Sequence, residues 1–163
     1  MFNLEEFEHL LPAAIAWAED RQAEVLMHGT KLNEFQLELA REVGVAHPEN
    51  IRIQELVEIP IPEDKALRAA GKKLGLFNWS PAGRAMGYGV EIRSMATDGI
   101  LPGQTVSPEL YRHEFRHVYQ CEQCGSTAKF IVEYLHSVLE SGYFDSPFEI
   151  DARLYETKSV VHN

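Results

Sequence analysis

The chain has 163 residues, enough for one domain with its own core, so a second domain is not expected. A composition with 45% hydrophobic and 25% charged residues excludes collagen-like, low-complexity and wholly disordered proteins. The net charge of −10 argues against nucleic acid and anionic membranes as partners, because binding to either requires clustered Lys and Arg.

The sequence predicts neither a membrane span nor an export signal. The apolar run at residues 10–18 contains Pro12 and is much shorter than the roughly 20 residues that cross a bilayer. The first residues are acidic, whereas a secretory signal begins with basic ones. The two cysteines, Cys121 and Cys124, cannot form a disulfide framework, and we expect them to be thiols in a cytoplasmic protein.

Hydrophobic periodicity predicts an α+β fold. Apolar residues spaced by three and four, with capping residues and glycine stops, predict helices at residues 4–27, 31–43, 63–74, 108–121, 126–141 and from 146 onward. We expect the first two helices to form a pair, with a kink or a break at Pro12. Alternating residues predict a small mixed sheet with strands at 51–59 and 88–93, whereas the glycine-rich residues 75–87 are predicted to be irregular.

The helix predicted from residue 108 contains the pattern HExxH, formed by His113, Glu114 and His117. Two histidines four residues apart lie on one helix face and can bind one Zn²⁺ at about 2.0–2.1 Å each. Glu114 lies beside them and can accept a proton from a water that the zinc has made acidic. The alternative is a surface helix on which both histidines are half-buried and bind no metal.

A catalytic zinc commonly has three protein ligands, so a third ligand is required. Glu149, in the first turn of the helix predicted from residue 146, is the best candidate. Asp151 and Glu156 are the alternatives. Another interpretation of Glu149 is structural, since Ser146 and Glu149 have the spacing of a capping box.

These residues resemble the gluzincin type of zinc metallopeptidase, and most closely its compact members. The resemblance implies a zinc held by His113, His117 and Glu149, with Glu114 as general base and acid in peptide-bond hydrolysis. It also implies that the strand at residues 88–93 is an exposed sheet edge to which an extended substrate adds.

The resemblance also concerns two further roles, the donor to the oxyanion and the residue that supports the metal ligands, and each role has more than one candidate. The family often has a tyrosine between the HExxH pattern and the glutamate, and Tyr143 is therefore the expected donor to the oxyanion. The aspartate that supports the metal ligands in this family is replaced here by Arg153. The alternatives are Tyr134 and Tyr155 for the oxyanion, and Asp145 and Asp151 for the support.

Other HExxH classes fit less well. Peptide deformylases take a ligand from a cysteine upstream of the pattern, and this chain has none there. Metzincins continue the pattern with Gly and a third His, which are absent after His117. Proteases that repair DNA–protein adducts would require basic surfaces. The pair Cys121 and Cys124 could be a redox or metal motif, but buried structural thiols are the expected reading.

The sequence therefore predicts one metallopeptidase-like domain, residues 1–163, with zinc as cofactor and a peptide or protein as substrate. Its parts are an acidic, mainly helical segment at 1–60, a sheet region at 61–106 and the zinc-site helices at 107–163. The first of these holds 12 acids and 4 bases, which makes it a candidate surface for a protein partner. The alternative function is a zinc-binding interaction or regulatory module without turnover.

Overall fold

A computed structural model describes residues 3–78, 80–93 and 106–157. These residues form an α+β fold, which confirms the predicted class. The helices are α1 (Leu4–His28), α2 (Glu34–Glu42), α3 (Lys65–Lys73), α4 (Pro108–Cys124), α5 (Thr127–Ser141) and α6 (Pro147–Leu154), with a 3₁₀ turn at Pro48–Asn50. The strands are β1 (Thr30–Lys31), β2 (Arg52–Leu56), β3 (Gly83–Met86) and β4 (Gly89–Arg93).

The four strands form one mixed sheet in the order β1-β2-β4-β3. β2 and β4 are parallel, with Ile53 opposite Val90, and the outer strands are antiparallel to their neighbours. β3 and β4 form a hairpin whose turn contains Gly87 at φ 61°. A positive φ at the first turn residue suits a tight hairpin and favours glycine.

The predicted edge strand is wrong. The strand predicted at residues 88–93 exists as β4, but it lies between β2 and β3 and is buried rather than half-buried. The edge next to β4 is β3, which falls within residues 75–87, the part predicted to be irregular. A four-residue strand with the sequence Gly-Arg-Ala-Met has no hydrophobic alternation to indicate it, and its pairing depends on the hairpin.

The predicted pair of N-terminal helices is also wrong, although both helices exist. Ala18 of α1 packs in one core cluster with Phe130 and Ile131 of α5. Leu39 of α2 packs in another cluster, with Phe115 of α4. The two helices have different partners because they cover opposite faces of the sheet.

Helix ends differ from the predicted ones by a few residues. α1 continues through Pro12 without a break, and α4 extends beyond residue 121 to Cys124, where Gly125 ends it at φ 94°.

Within the part of the chain that the structure describes, no helix combines the length and apolarity that crossing a membrane requires.

A buried ion network fixes α1 to the sheet. Glu91 of β4 is fully buried, and its carboxylate accepts hydrogen bonds from Arg84 at 2.6 and 2.9 Å. Its other oxygen accepts a hydrogen bond from Arg21 of α1 at 2.8 Å. Arg84 also donates to the carbonyl of Pro60 at 2.7 Å and stacks on the ring of Trp17.

Replacing Glu91 by Gln is expected to lower the free energy of unfolding by about 3–5 kcal/mol, because two largely buried guanidinium groups lose their counterion. Urea unfolding of both proteins measures the difference. Glu55→Gln on the neighbouring strand β2 is the matched control, since Glu55 is exposed and should change stability by less than about 0.5 kcal/mol. Similar losses in the two variants would contradict a special role for the network.

Candidate metal centre

Three side chains predicted to bind metal converge in the structure. The ligand atoms of His113, His117 and Glu149 all lie within 4.8 Å of one another. The two Nε2 atoms are 3.2 Å apart, and the carboxylate oxygens of Glu149 lie 3.2 Å from His113 Nε2 and 3.1 Å from His117 Nε2. His117 and Glu149 are buried, while His113 is half-buried. The cluster therefore has one partly open side.

The outer nitrogen of each histidine has its own acceptor. Nδ1 of His113 lies 2.9 Å from the Glu156 carboxylate, and Nδ1 of His117 lies 2.7 Å from Oε1 of Gln120. When each Nδ1 donates its proton outward, the Nε2 lone pair points into the cluster. Acceptors of this kind are the usual means of orienting histidine ligands.

The start of α6 directs Glu149 toward the histidines. The Ser146 hydroxyl accepts a hydrogen bond from the backbone N–H of Phe148 at 3.3 Å and so caps the helix. The Glu149 carboxylate does not complete a capping box and faces the cluster instead, with 2% of the residue exposed. The Tyr134 hydroxyl donates to Glu149 Oε2 at 2.9 Å, and Tyr143 also hydrogen-bonds to this carboxylate.

The electrostatics of the cluster favour a positive charge at its centre. Burial lowers the pKa of His113, but hydrogen bonding to Glu149 and the nearby Glu114 charge outweigh it and raise this pKa to about 9. Burial raises the pKa of Glu149, but its hydrogen bonds with both histidines outweigh that effect and hold the pKa well below its ordinary value. The cluster thus holds a carboxylate and binds a proton unusually strongly, and a metal ion can take that proton's place.

Zinc fits this donor set. Ligands at 2.0–2.1 Å from a tetrahedral zinc lie about 3.3 Å from one another. The two histidine Nε2 atoms are 3.2 Å apart, close to this value, and each of them has one oxygen of the Glu149 carboxylate at 3.1–3.2 Å. Two imidazoles and one carboxylate form a common set for catalytic zinc and leave a fourth position free.

Glu114 lies against the edge strand, beside the cluster. It is 5% exposed, and a Cβ placed on Gly83 of β3 would come within 3.0 Å of its side chain. Burial raises the pKa of Glu114, and the two histidines of the cluster partly oppose this. A carboxylate whose pKa is raised toward neutrality is suited to accept and release protons.

The remaining predicted residues have other positions. Asp151 accepts two hydrogen bonds from Arg116 and one at 2.8 Å from Gln120, so it supports the cluster through Gln120 and is not among the three converging ligands. Tyr155 stacks on the Arg116 guanidinium, and Asp145 is exposed. Glu156, an alternative ligand, contacts the outer nitrogen of His113.

Sequence reasoning did not assign Gln120. It connects α4 to α6, because its Oε1 accepts from His117 and its Nε2 donates to Asp151 and to the carbonyl of Phe148 at 2.9 Å. The signal was its position three residues after His117, on the same helix face.

The cysteine pair is separate from this cluster. Cys121 is buried, with the Thr127 hydroxyl 3.8 Å from its sulfur, and Cys124 donates to Glu133 at 3.2 Å. Burial raises the pKa of both thiols, to about 12 for Cys124. Both are free cysteines, and their high pKa values make them poor nucleophiles.

Replacing Gln120 by Leu is expected to weaken zinc binding about 10- to 100-fold, because His117 loses the acceptor that orients its ring. Competition with a chromogenic chelator measures the affinity. Gln123→Leu, on the exposed side of the same helix, is the matched control and should bind zinc like the unmodified protein. Unchanged affinity in Gln120→Leu would show that the hydrogen bond at Nδ1 does not support the site.

Comparisons with protein families, with curated proteins and with solved structures find no match to this chain.

Proposed function

We propose that this protein is a zinc-dependent metallopeptidase that hydrolyses peptide bonds. The convergence of His113, His117 and Glu149, three side chains that could hold a metal ion, with Glu114 buried beside them, is the observation that carries the proposal. The HExxH pattern and its resemblance to gluzincins support the same reaction. The metal ligands alone would fit a metal-binding module as well as an enzyme. The position of Glu114 beside them is what favours an enzyme.

Glu114, Tyr134 and Tyr143 have different proposed roles in hydrolysis. Zinc, when bound, supplies Lewis-acid polarisation of the scissile carbonyl and lowers the pKa of water. Glu114 takes the proton from the attacking water and delivers it to the leaving amine. Tyr134 donates to Glu149 and is the proposed positioning residue. Tyr143, whose hydroxyl also bonds to Glu149, is the proposed donor to the oxyanion, to which it would turn when substrate is bound.

The edge strand β3 is the proposed docking site for the peptide backbone. Ala82 accepts a hydrogen bond from the Arg93 N–H, and residues on an antiparallel strand alternate in direction, so Gly83 and Ala85 turn their backbone groups away from β4. Gly83 also lies against Glu114. A peptide that extends the sheet along β3 would place its scissile bond beside the proposed base.

Metal analysis and a peptide-library digest together test this function. We expect one zinc per chain and cleavage that stops with a chelator and returns when zinc is added. Zinc without any cleavage would favour the alternative, a zinc-binding interaction or regulatory module. A chain that binds no zinc would contradict both functions.

A further inference from the structure

An apolar cavity adjoins the metal cluster and is not needed for the chemistry proposed above. Its volume is about 190 Å³, and its lining includes the metal-site residues. The rest of the lining is mainly apolar side chains of three helices, with Leu11 and Trp17 from α1, Leu67 from α3 and Leu135 from α5. The residues after α3 complete the enclosure with Phe77.

The size of the cavity limits what can occupy it. A protein cavity of about 150 Å³ lined by Leu, Ile and Phe accommodates benzene, whereas pockets for drug-sized ligands measure about 300–1,000 Å³. A volume of 190 Å³ therefore fits one aromatic ring or one branched aliphatic side chain. It does not fit a second group of that size.

The charges around the cavity exclude a charged occupant. Among the lining residues that the structure describes, Arg84 is the only charged one outside the metal-site group of His113, Glu114, His117 and Glu149. Its guanidinium is bound to Glu91 and to the carbonyl of Pro60. A charged side chain placed here would lose its hydration without gaining a counterion.

Part of the apolar lining depends on a close contact between a glycine and an aromatic ring. A Cβ on Gly71 of α3 would overlap the ring of Phe77, so only glycine lets this ring lie on the helix. Phe77 is thereby held in the lining of the cavity that also contains the metal-site residues. The wall is a packed surface, which is a requirement for selectivity by shape.

We propose that the substrates carry one large apolar side chain, aromatic or leucine-sized, beside the bond that is cleaved, and that α1, α3 and α5 select it. This inference rests on the proposed function, because it takes the metal cluster as the reacting centre. These three helices lie outside the HExxH pattern, so the proposed preference for an apolar side chain depends on the rest of the fold.

The cavity can be tested on metal-free protein with toluene as the probe. Toluene should raise the thermal midpoint of the chelator-treated protein, and it should not do so in Ala14→Phe, in which a ring occupies the cavity from α1. Ala13→Phe is the matched control, since Ala13 is the neighbouring residue on the exposed face. Leu135→Trp fills the cavity from α5 and serves if Ala14→Phe does not fold. Stabilisation that persists in both filled variants, or is absent from the unmodified protein, overturns the inference.

The link to the metal is tested with three hydroxamates on zinc-loaded protein. 3-Phenylpropionohydroxamate should bind about 10- to 100-fold more tightly than acetohydroxamate, and succinomonohydroxamate should show no such gain. The gain should disappear in Ala14→Phe and persist in Ala13→Phe. Bound zinc with equal affinities for the three compounds overturns the inference and leaves the proposed function intact. A protein without zinc overturns the proposed function, and the inference falls with it.

Discussion

Replacing Glu114 by Gln is expected to lower kcat/KM for peptide hydrolysis about 10²- to 10⁴-fold, while zinc binding is retained. Gln has nearly the shape of Glu and can fill the buried position against Gly83, but it cannot accept the proton of the attacking water. Because Glu114 is not one of the three converging ligands, its replacement should leave the metal in place. Steady-state kinetics and metal analysis of the same sample measure both quantities.

Glu109→Gln is the matched control for this variant. Glu109 is exposed in the first turn of the same helix, and its replacement removes the same charge without affecting the cluster. Activity close to that of the unmodified protein is expected. Full activity in zinc-loaded Glu114→Gln would refute the proposed mechanism, whereas a loss of zinc would show that Glu114 supports the metal site itself.

Local signals in the sequence predicted the helices well and the sheet poorly. Ser107 and Ser146 cap helices that begin where the capping pattern indicated, since capping and periodicity act within a few residues. The order of the strands depends on contacts between distant residues. Glu91 shows this limit, because an acidic residue in a strand indicates a solvent-facing position unless its partners, Arg21 and Arg84, are known.

The convergence of the candidate metal ligands could be predicted because the chemistry of such a site constrains their spacing. His113 and His117 lie four residues apart on one helix, and this spacing alone places both on one face. The choice of Glu149 over the alternatives Asp151 and Glu156 agrees with its position in the structure. Gln120 and Glu156 became recognisable as orienting residues only through tertiary contacts.

Replacing Glu149 by Ala is expected to abolish stable zinc binding, and with it the stabilisation that zinc gives the folded protein. The carboxylate is the only anionic member of the converging ligands, so its loss leaves two histidines that repel a cation when protonated. A ligand that binds only the folded state at 1,000 times its Kd stabilises it by about 4 kcal/mol. Thermal unfolding with and without added zinc, together with metal analysis, measures both effects.

Glu140→Ala is the control for this experiment, because Glu140 is exposed on α5 and its removal changes the net charge equally. It should keep one zinc per chain and the full rise of the midpoint with zinc. Zinc bound by Glu149→Ala with unchanged affinity would show that another carboxylate is the third ligand, and Glu156, already at His113, would be the first to replace. A similar loss in both variants would instead indicate that overall negative charge attracts the ion, without a defined site.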